Sequence, residues 1–178
     1  MKSTALALTL ALFAAPAFAA NPDVGGAQMF ENKNIVENAL NSADHTTLVA
    51  AVKAAGLVDA LMGPGPFTVF APVNDAFAAL PAGTVETLLK PENKDMLTKV
   101  LTAHVVAGDY KIADLKAMVG ADGYANLQTL SGDALSVKFS GNTMRIYSES
   151  QNIGNIAIAD VDQSNGVIHV IDAVLVPK

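Results

Sequence analysis

The sequence predicts an α+β domain, and three observations carry that expectation. Helix-period apolar stripes occupy the first half of the chain, whereas from Ala125 onward the apolar period falls to two. A short β-rich run at Thr68, Val69 and Phe70 stops at Pro72, after which Asn74 offers a side-chain oxygen to a following turn of helix. That pattern reads as a strand-to-helix corner. With 178 residues, 51% hydrophobic and 16% charged, the chain also has enough apolar material for one well-filled core.

The N-terminus is read as a secretory signal peptide over residues 1–19. Lys2 is the short positive region, Ala5 to Ala15 the apolar run, and Ala17-Phe18-Ala19 the small-residue cleavage signal, of bacterial type. Residues 20–33 are expected to be a flexible lead-in, because Asn21 to Gly26 is polar and Gly-Pro-rich with nothing to bury. The folded domain then occupies 34–178.

A first helix is expected over about Ile35 to Leu40. A second begins near Thr46, carries Leu48, Val52 and Ala55 on one stripe and stops at Gly56. Gly63-Pro64-Gly65-Pro66 forces a turn into the strand and corner already described. Pro81-Ala82-Gly83 leads into a short helix from Thr84 to Leu89, capped by Thr84. Pro91 opens a stronger helix to about Thr102, with Met96, Leu97, Val100 and Leu101 on its apolar face and Glu92, Lys94, Asp95 and Lys99 elsewhere. A short Val-rich strand follows through His104.

Further on, Leu135, Val137 and Phe139 alternate with Ser136, Lys138 and Ser140, and Gly141-Asn142 turns the chain into Thr143 to Tyr147. Two more strands, about Ile156 to Val161 and Val167 to Val176, complete the sheet. In the last, released by the Asn165-Gly166 turn signal, Val167, His169 and Ile171 face one way while Ile168, Val170 and Asp172 face the other. Apolar residues on both faces imply a covered strand.

Composition and residue types narrow the chemistry. A net charge of −6, which becomes one unit more negative when Lys2 leaves with the leader, disfavours nucleic acid and anionic membranes as partners. No segment after the leader is long enough to insert in a membrane. The lack of cysteine removes thiolate metal sites, a cysteine nucleophile and a lipidated N-terminal anchor. Of the three histidines, His104 and His169 lie in Val- and Ile-rich runs and read as buried, neutral and bonded; His45 precedes a helix and reads as exposed. No pair of ligands has metal spacing, Asp160 and Asp162 read as a solvated strand edge, and no serine elbow exists. Neither enzyme nor cofactor is expected.

The stretches TVFAPVNDAF (Thr68 to Phe77), LTKVLTAHVV (Leu97 to Val106) and NGVIHVIDAVLVP (Asn165 to Pro177) resemble the motifs of the fasciclin (FAS1) domain in order and spacing, over roughly Ile35 to Pro177. That resemblance implies a β-sandwich or wedge with helices packed over it. It marks Thr68, Phe70, Pro72, Asn74, Phe77, His104, Asn165, Gly166, His169 and Asp172 as structural motif positions, with His104 joining the central helix to the first motif. It also implies a non-enzymatic interaction module, for adhesion to a protein, matrix or cell-surface component.

The segment Asn93 to Leu97 resembles an Asn-Lys-Asp-Ile-Leu stretch proposed to engage integrins in some animal fasciclin domains, with Met96 in place of Ile. The family's Tyr-His pair is Ala103-His104 here, its usual Thr is Val73 and its frequent Pro is Ala107. These departures and the bacterial leader argue against an integrin partner. The local interaction surface is therefore placed on exposed charges, Glu92, Asp95 and Lys99, without a specified oligomeric state. The alternative implied by the resemblance is a carrier of an apolar small ligand such as a carotenoid.

Overall fold

The computed structural model describes residues 22–178, so the expected leader and its cleavage point lie outside the described residues. The described residues open with a small hairpin, β1 (Asp23–Val24) and β2 (Ala27–Gln28), followed by helices α1 (Ile35–Ala39), α2 (Thr46–Ala55) and α3 (Val58–Leu61). Strand β3 (Phe67–Pro72) leads into α4 (Asn74–Ala78), α5 (Thr84–Leu88) and α6 (Lys94–Thr102). The second half holds β4 (Val105–Ala107), α7 (Ile112–Ala117), β5 (Tyr124–Gln128), β6 (Ala134–Ser140), β7 (Thr143–Ser148), β8 (Ile153–Gln163) and β9 (Gly166–Ile171).

Seven of these strands form one sheet in the order β4-β3-β9-β8-β7-β6-β5, antiparallel except for the β3–β9 pair. β8 is shared between its halves: one end pairs with β7 and the other with β9, and register shifts between Ile156 and Val161 bend it. The sheet thereby folds back on itself. A bridge between Val106 and Thr129, with the Leu130 N–H donating to the Val105 carbonyl at 2.8 Å, joins the β4 edge to the end of β5. Much of the edge problem of an open sheet is removed by that contact.

Two apolar layers result. Phe70 and Ile171 face Leu127, Leu135, Val137 and Ile146 inside the folded sheet, while Val69, Ala71, Ile168 and Val170 turn to the helices and meet Val36, Leu48, Val52, Leu97 and Leu101. The alternation read for β9 is the cause, since successive side chains of a strand serve opposite layers. This is the expected α+β wedge.

Several local expectations are corrected. Order begins earlier than a flexible 20–33 lead-in implies, because Val24 and Met29 are buried in the helix-side core and β1–β2 is bonded to the Ala43 N–H through the Gly25 carbonyl. The last strand ends at Ile171 rather than Val176; Val174 and Leu175 are buried in irregular chain instead. Gly83, not Thr84, is the cap of α5, and no side-chain bond supports it. Asn74 does not cap its own helix. Its Oδ1 accepts from the Thr47 N–H at 3.0 Å and its Nδ2 donates to the Ala43 carbonyl at 2.8 Å, so it caps α2 instead. The short α3 and α7 leave no signal in the sequence, being too brief for periodicity to register, whereas β5 falls in the two-residue period that begins at Ala125.

Candidate functional site

The exposed charges expected to form an interaction surface lie along α6. A 3₁₀ turn at Pro91–Asn93 starts this element, and Leu97, Val100 and Leu101 bury one face against α2 and the core. Glu92, Asp95 and Lys99 are exposed. Met96 is corrected: expected in the core, it is 60% exposed, because one step along a helix rotates a side chain by about 100° and Leu97 takes the inward direction.

Beside Met96 runs an open groove of about 560 Å³. Leu80, Leu88 and Val100 contribute to it from one side and Val174, Val176 and Pro177 from the other; Asp95, Lys99 and Lys178 add charges. The structure thus joins Asp95 and Lys99 at one groove, while Glu92 is not among its lining residues. The Lys99 ammonium donates to the Lys178 carbonyl, tying the C-terminal segment to α6. That segment was legible only as strand, so its half of the groove had no sequence signal.

The motif positions do a different job: their polar side chains hold backbone from distant segments. The Thr68 hydroxyl donates to the Gly108 carbonyl at 2.7 Å and accepts from the Tyr110 N–H at 2.9 Å. Asn165 accepts from the Ile35 N–H at 3.0 Å and donates to the Leu61 and Gly63 carbonyls at 2.8 and 2.9 Å, gathering α1 and α3 at the β8–β9 turn. Asp172 accepts twice from Asn155, from its N–H at 2.6 Å and its Nδ2 at 2.8 Å. Gly166 has a φ of +149°, and a Cβ there would overlap the Phe67 carbonyl, so close approach of β3 requires glycine. Phe70, Pro72 and Phe77 are buried.

His104 and His169 are buried as expected, each held by one backbone acceptor and one backbone donor. His104 donates from Nδ1 to the Val100 carbonyl and accepts the Leu175 N–H at Nε2, both at 2.8 Å. The helix is thereby joined to the C-terminal segment, while the His104 carbonyl takes the Phe70 N–H of the first motif at 2.9 Å. Burial lowers its pKa to about 4, only partly opposed by the Val100 bond. His169 stacks on Phe70 with centroids 5.4 Å apart, donates from Nε2 to the Tyr110 carbonyl at 2.8 Å and accepts the Asp160 N–H at Nδ1. Desolvation lowers its pKa as well.

His45 is corrected: it is only 2% exposed, with Nδ1 2.9 Å from the Ser42 hydroxyl and its pKa lowered by burial. Val24, Met29 and Ala39 close over it together with β3, β8 and β9 residues Ala71, Val161 and Ile168, neighbours that the Asp44-His45 dipeptide alone does not reveal. Asp160 is exposed and Asp162 half-exposed, as the solvated reading expects, but β8 lies between β9 and β7 and is not a sheet edge. Asp160 accepts the Ile112 N–H at the start of α7 at 2.7 Å, and Asp162 pairs with Lys111 at 2.8 Å. Among the described residues no three His, Asp or Glu side chains converge as a metal site.

A second concavity lies beneath the helices. This cavity, about 130 Å³, is walled by apolar side chains of α1, α2, β3 and α6. It falls short of the roughly 300–1,000 Å³ of pockets that bury drug-sized ligands, and so of a carotenoid.

Sequence comparison matches the fasciclin domain family over residues 43–177. The chain belongs to the fasciclin family. Among fasciclin relatives, Protein sll1483 of Synechocystis sp. is 52% identical over 143 residues, covering 80% of this chain and 73% of that protein. Immunogenic protein MPB70 of Mycobacterium bovis is 35% identical over 165 residues, covering 89% and 77%. Transforming growth factor-beta-induced protein ig-h3 of Sus scrofa is 38% identical over 130 residues, 73% of this chain but 17% of that much longer protein. A solved FAS1 domain pair from the insect cell adhesion molecule fasciclin I superposes with a TM-score of 0.71 at 20% identity, over 80% of this chain and 50% of that one. The fold is thus shared with that domain pair at 20% identity.

Proposed function

We propose that this fasciclin protein is a non-enzymatic interaction module, exported to the periplasm or beyond, that works in cell-surface or matrix adhesion through the α6 groove. The observation that carries this reading is the pairing of an exposed Met96 with Asp95 and Lys99 at an open apolar groove on the flank of the helix-side core. Its occupant is an apolar side chain of a partner protein, oriented by the charges at the rim. Adhesion is the role carried over from the insect neighbour fasciclin I, a cell adhesion molecule that shares this fold. His104 and His169 are committed to backbone bonds through both ring nitrogens, which supports a role other than catalysis for these two.

The test compares the parent with a Glu92→Lys, Asp95→Lys double variant in attachment of host cells and in pulldown of envelope components. Stability should stay within about ±0.5 kcal/mol while binding falls. Unchanged binding removes the site, and a gene deletion without any effect on attachment or aggregation removes the adhesive role. Export predicts a mature chain starting at Ala20, give or take one residue; an intact mass that retains Met1 to Ala19 in the secreting host overturns it. No described helix is long and apolar enough to cross a membrane.

A further inference from the structure

We infer that the cavity beneath the helix layer is a binding site for one small hydrocarbon of about benzene size, separate from the α6 groove. Ile35 of α1, Leu48 and Val52 of α2, Leu61 of α3, Val69 of β3 and Leu101 of α6 form its walls, and its volume is about 130 Å³. An apolar cavity of about 150 Å³ lined by Leu, Ile and Phe accepts benzene or xenon. The two volumes are close, and that match sets the size of the guest.

The walls also set its chemistry. The polar groups that reach the cavity are already bonded: both ring nitrogens of His104 hold backbone, and the Thr102 hydroxyl donates to the Thr98 carbonyl at 2.7 Å. Lys53 is exposed and keeps its ammonium available to water. A guest with a hydroxyl or carbonyl would leave its hydrogen bonds to water behind and find no partner inside. Hydrocarbons lose nothing of that kind.

Access is available at the exposed rim. Leu130 and Lys53 are exposed at the boundary, and α3 is a single four-residue turn with no side-chain cap. Short uncapped helices open locally at low cost, which admits a guest without unfolding the sheet.

The experiment is a methyl NMR titration of the folded protein with benzene, with xenon and with phenol. Benzene should give saturable shifts of one-site stoichiometry confined to Ile35, Leu48, Val52, Leu61, Val69 and Leu101, and phenol should bind about tenfold more weakly or worse. Two filling variants on different helices, Val52→Phe and Ala39→Leu, should abolish the benzene shifts in whichever of them keeps the parent's circular dichroism. Non-saturable shifts, shifts centred on Met96 and Val176 instead, equal affinity for phenol, or full binding by a folded filling variant would each overturn the assignment. The parent's shift map alone decides the outcome if neither variant folds.

Discussion

Replacing His104 by Ala should destabilise the fold by about 3 kcal/mol at pH 7, and the loss should shrink as the solution is acidified. At neutral pH the variant strands the Leu175 N–H and the Val100 carbonyl in the core, each having lost a bond of 2.8 Å. An unsatisfied buried group costs about 1–3 kcal/mol. Acid acts on the parent through the ring itself. Burial penalises the charged ring and lowers the pKa from 6.5 to about 4, and a hydrogen on Nε2 would also meet the Leu175 N–H that already points there. The stabilisation is full above pH 6.5, where the unfolded chain is also neutral, and is lost progressively as pH falls towards 4. At about 1.4 kcal/mol per unit, that shift corresponds to about 3 kcal/mol. His45 and His169, also lowered, add loss of the same sign in parent and variant alike. Carboxylate titration likewise cancels in the difference. Urea melts of both proteins between pH 7 and 4.5, followed by tyrosine fluorescence and circular dichroism, measure the gap. A gap that stays constant across this range, or no gap at pH 7, would refute the reasoning.

Three further outcomes can be checked by calorimetry or denaturant melts. Asn74→Ala should cost about 1 kcal/mol by removing the cap from the Thr47 N–H of α2, and a parent-like melt would return Asn74 to a local role within its own corner. Gly166→Ala should cost on the order of 3 kcal/mol or more, since its new methyl meets Phe67 backbone that is fixed by the β3–β9 ladder; an unchanged midpoint would contradict that close approach. Met96→Asp should change stability by no more than about 0.5 kcal/mol, whereas Leu97→Asp should abolish cooperative unfolding, and similar effects at the two sites would deny the rotation of α6 seen here.

The sequence by itself determined the class of the fold and much of its punctuation. Apolar period, turn residues and the three motif stretches placed α2, β3, β6, β7 and the start of β9, because each is long enough, or bounded sharply enough, for local rules to govern. The burial of His104 and His169 was legible too, since an imidazole within a Val- and Ile-rich run has few other settings. What local pattern could not carry was decided by tertiary contact. Asn74 looked like the cap of its own helix, yet the nearer unpaired donors belonged to α2, a segment almost 30 residues away. Met96 shared an apolar run with Leu97 but only one of two adjacent helical positions can face α2. His45 was covered by the β1–β2 hairpin and α1, and the groove beside α6 required the C-terminal segment to leave the sheet after Ile171. Sequence spacing specifies which side chains can point together along one element; which of them face a partner element, and which face solvent, is fixed only when the sheet folds over and the remaining chain packs against it.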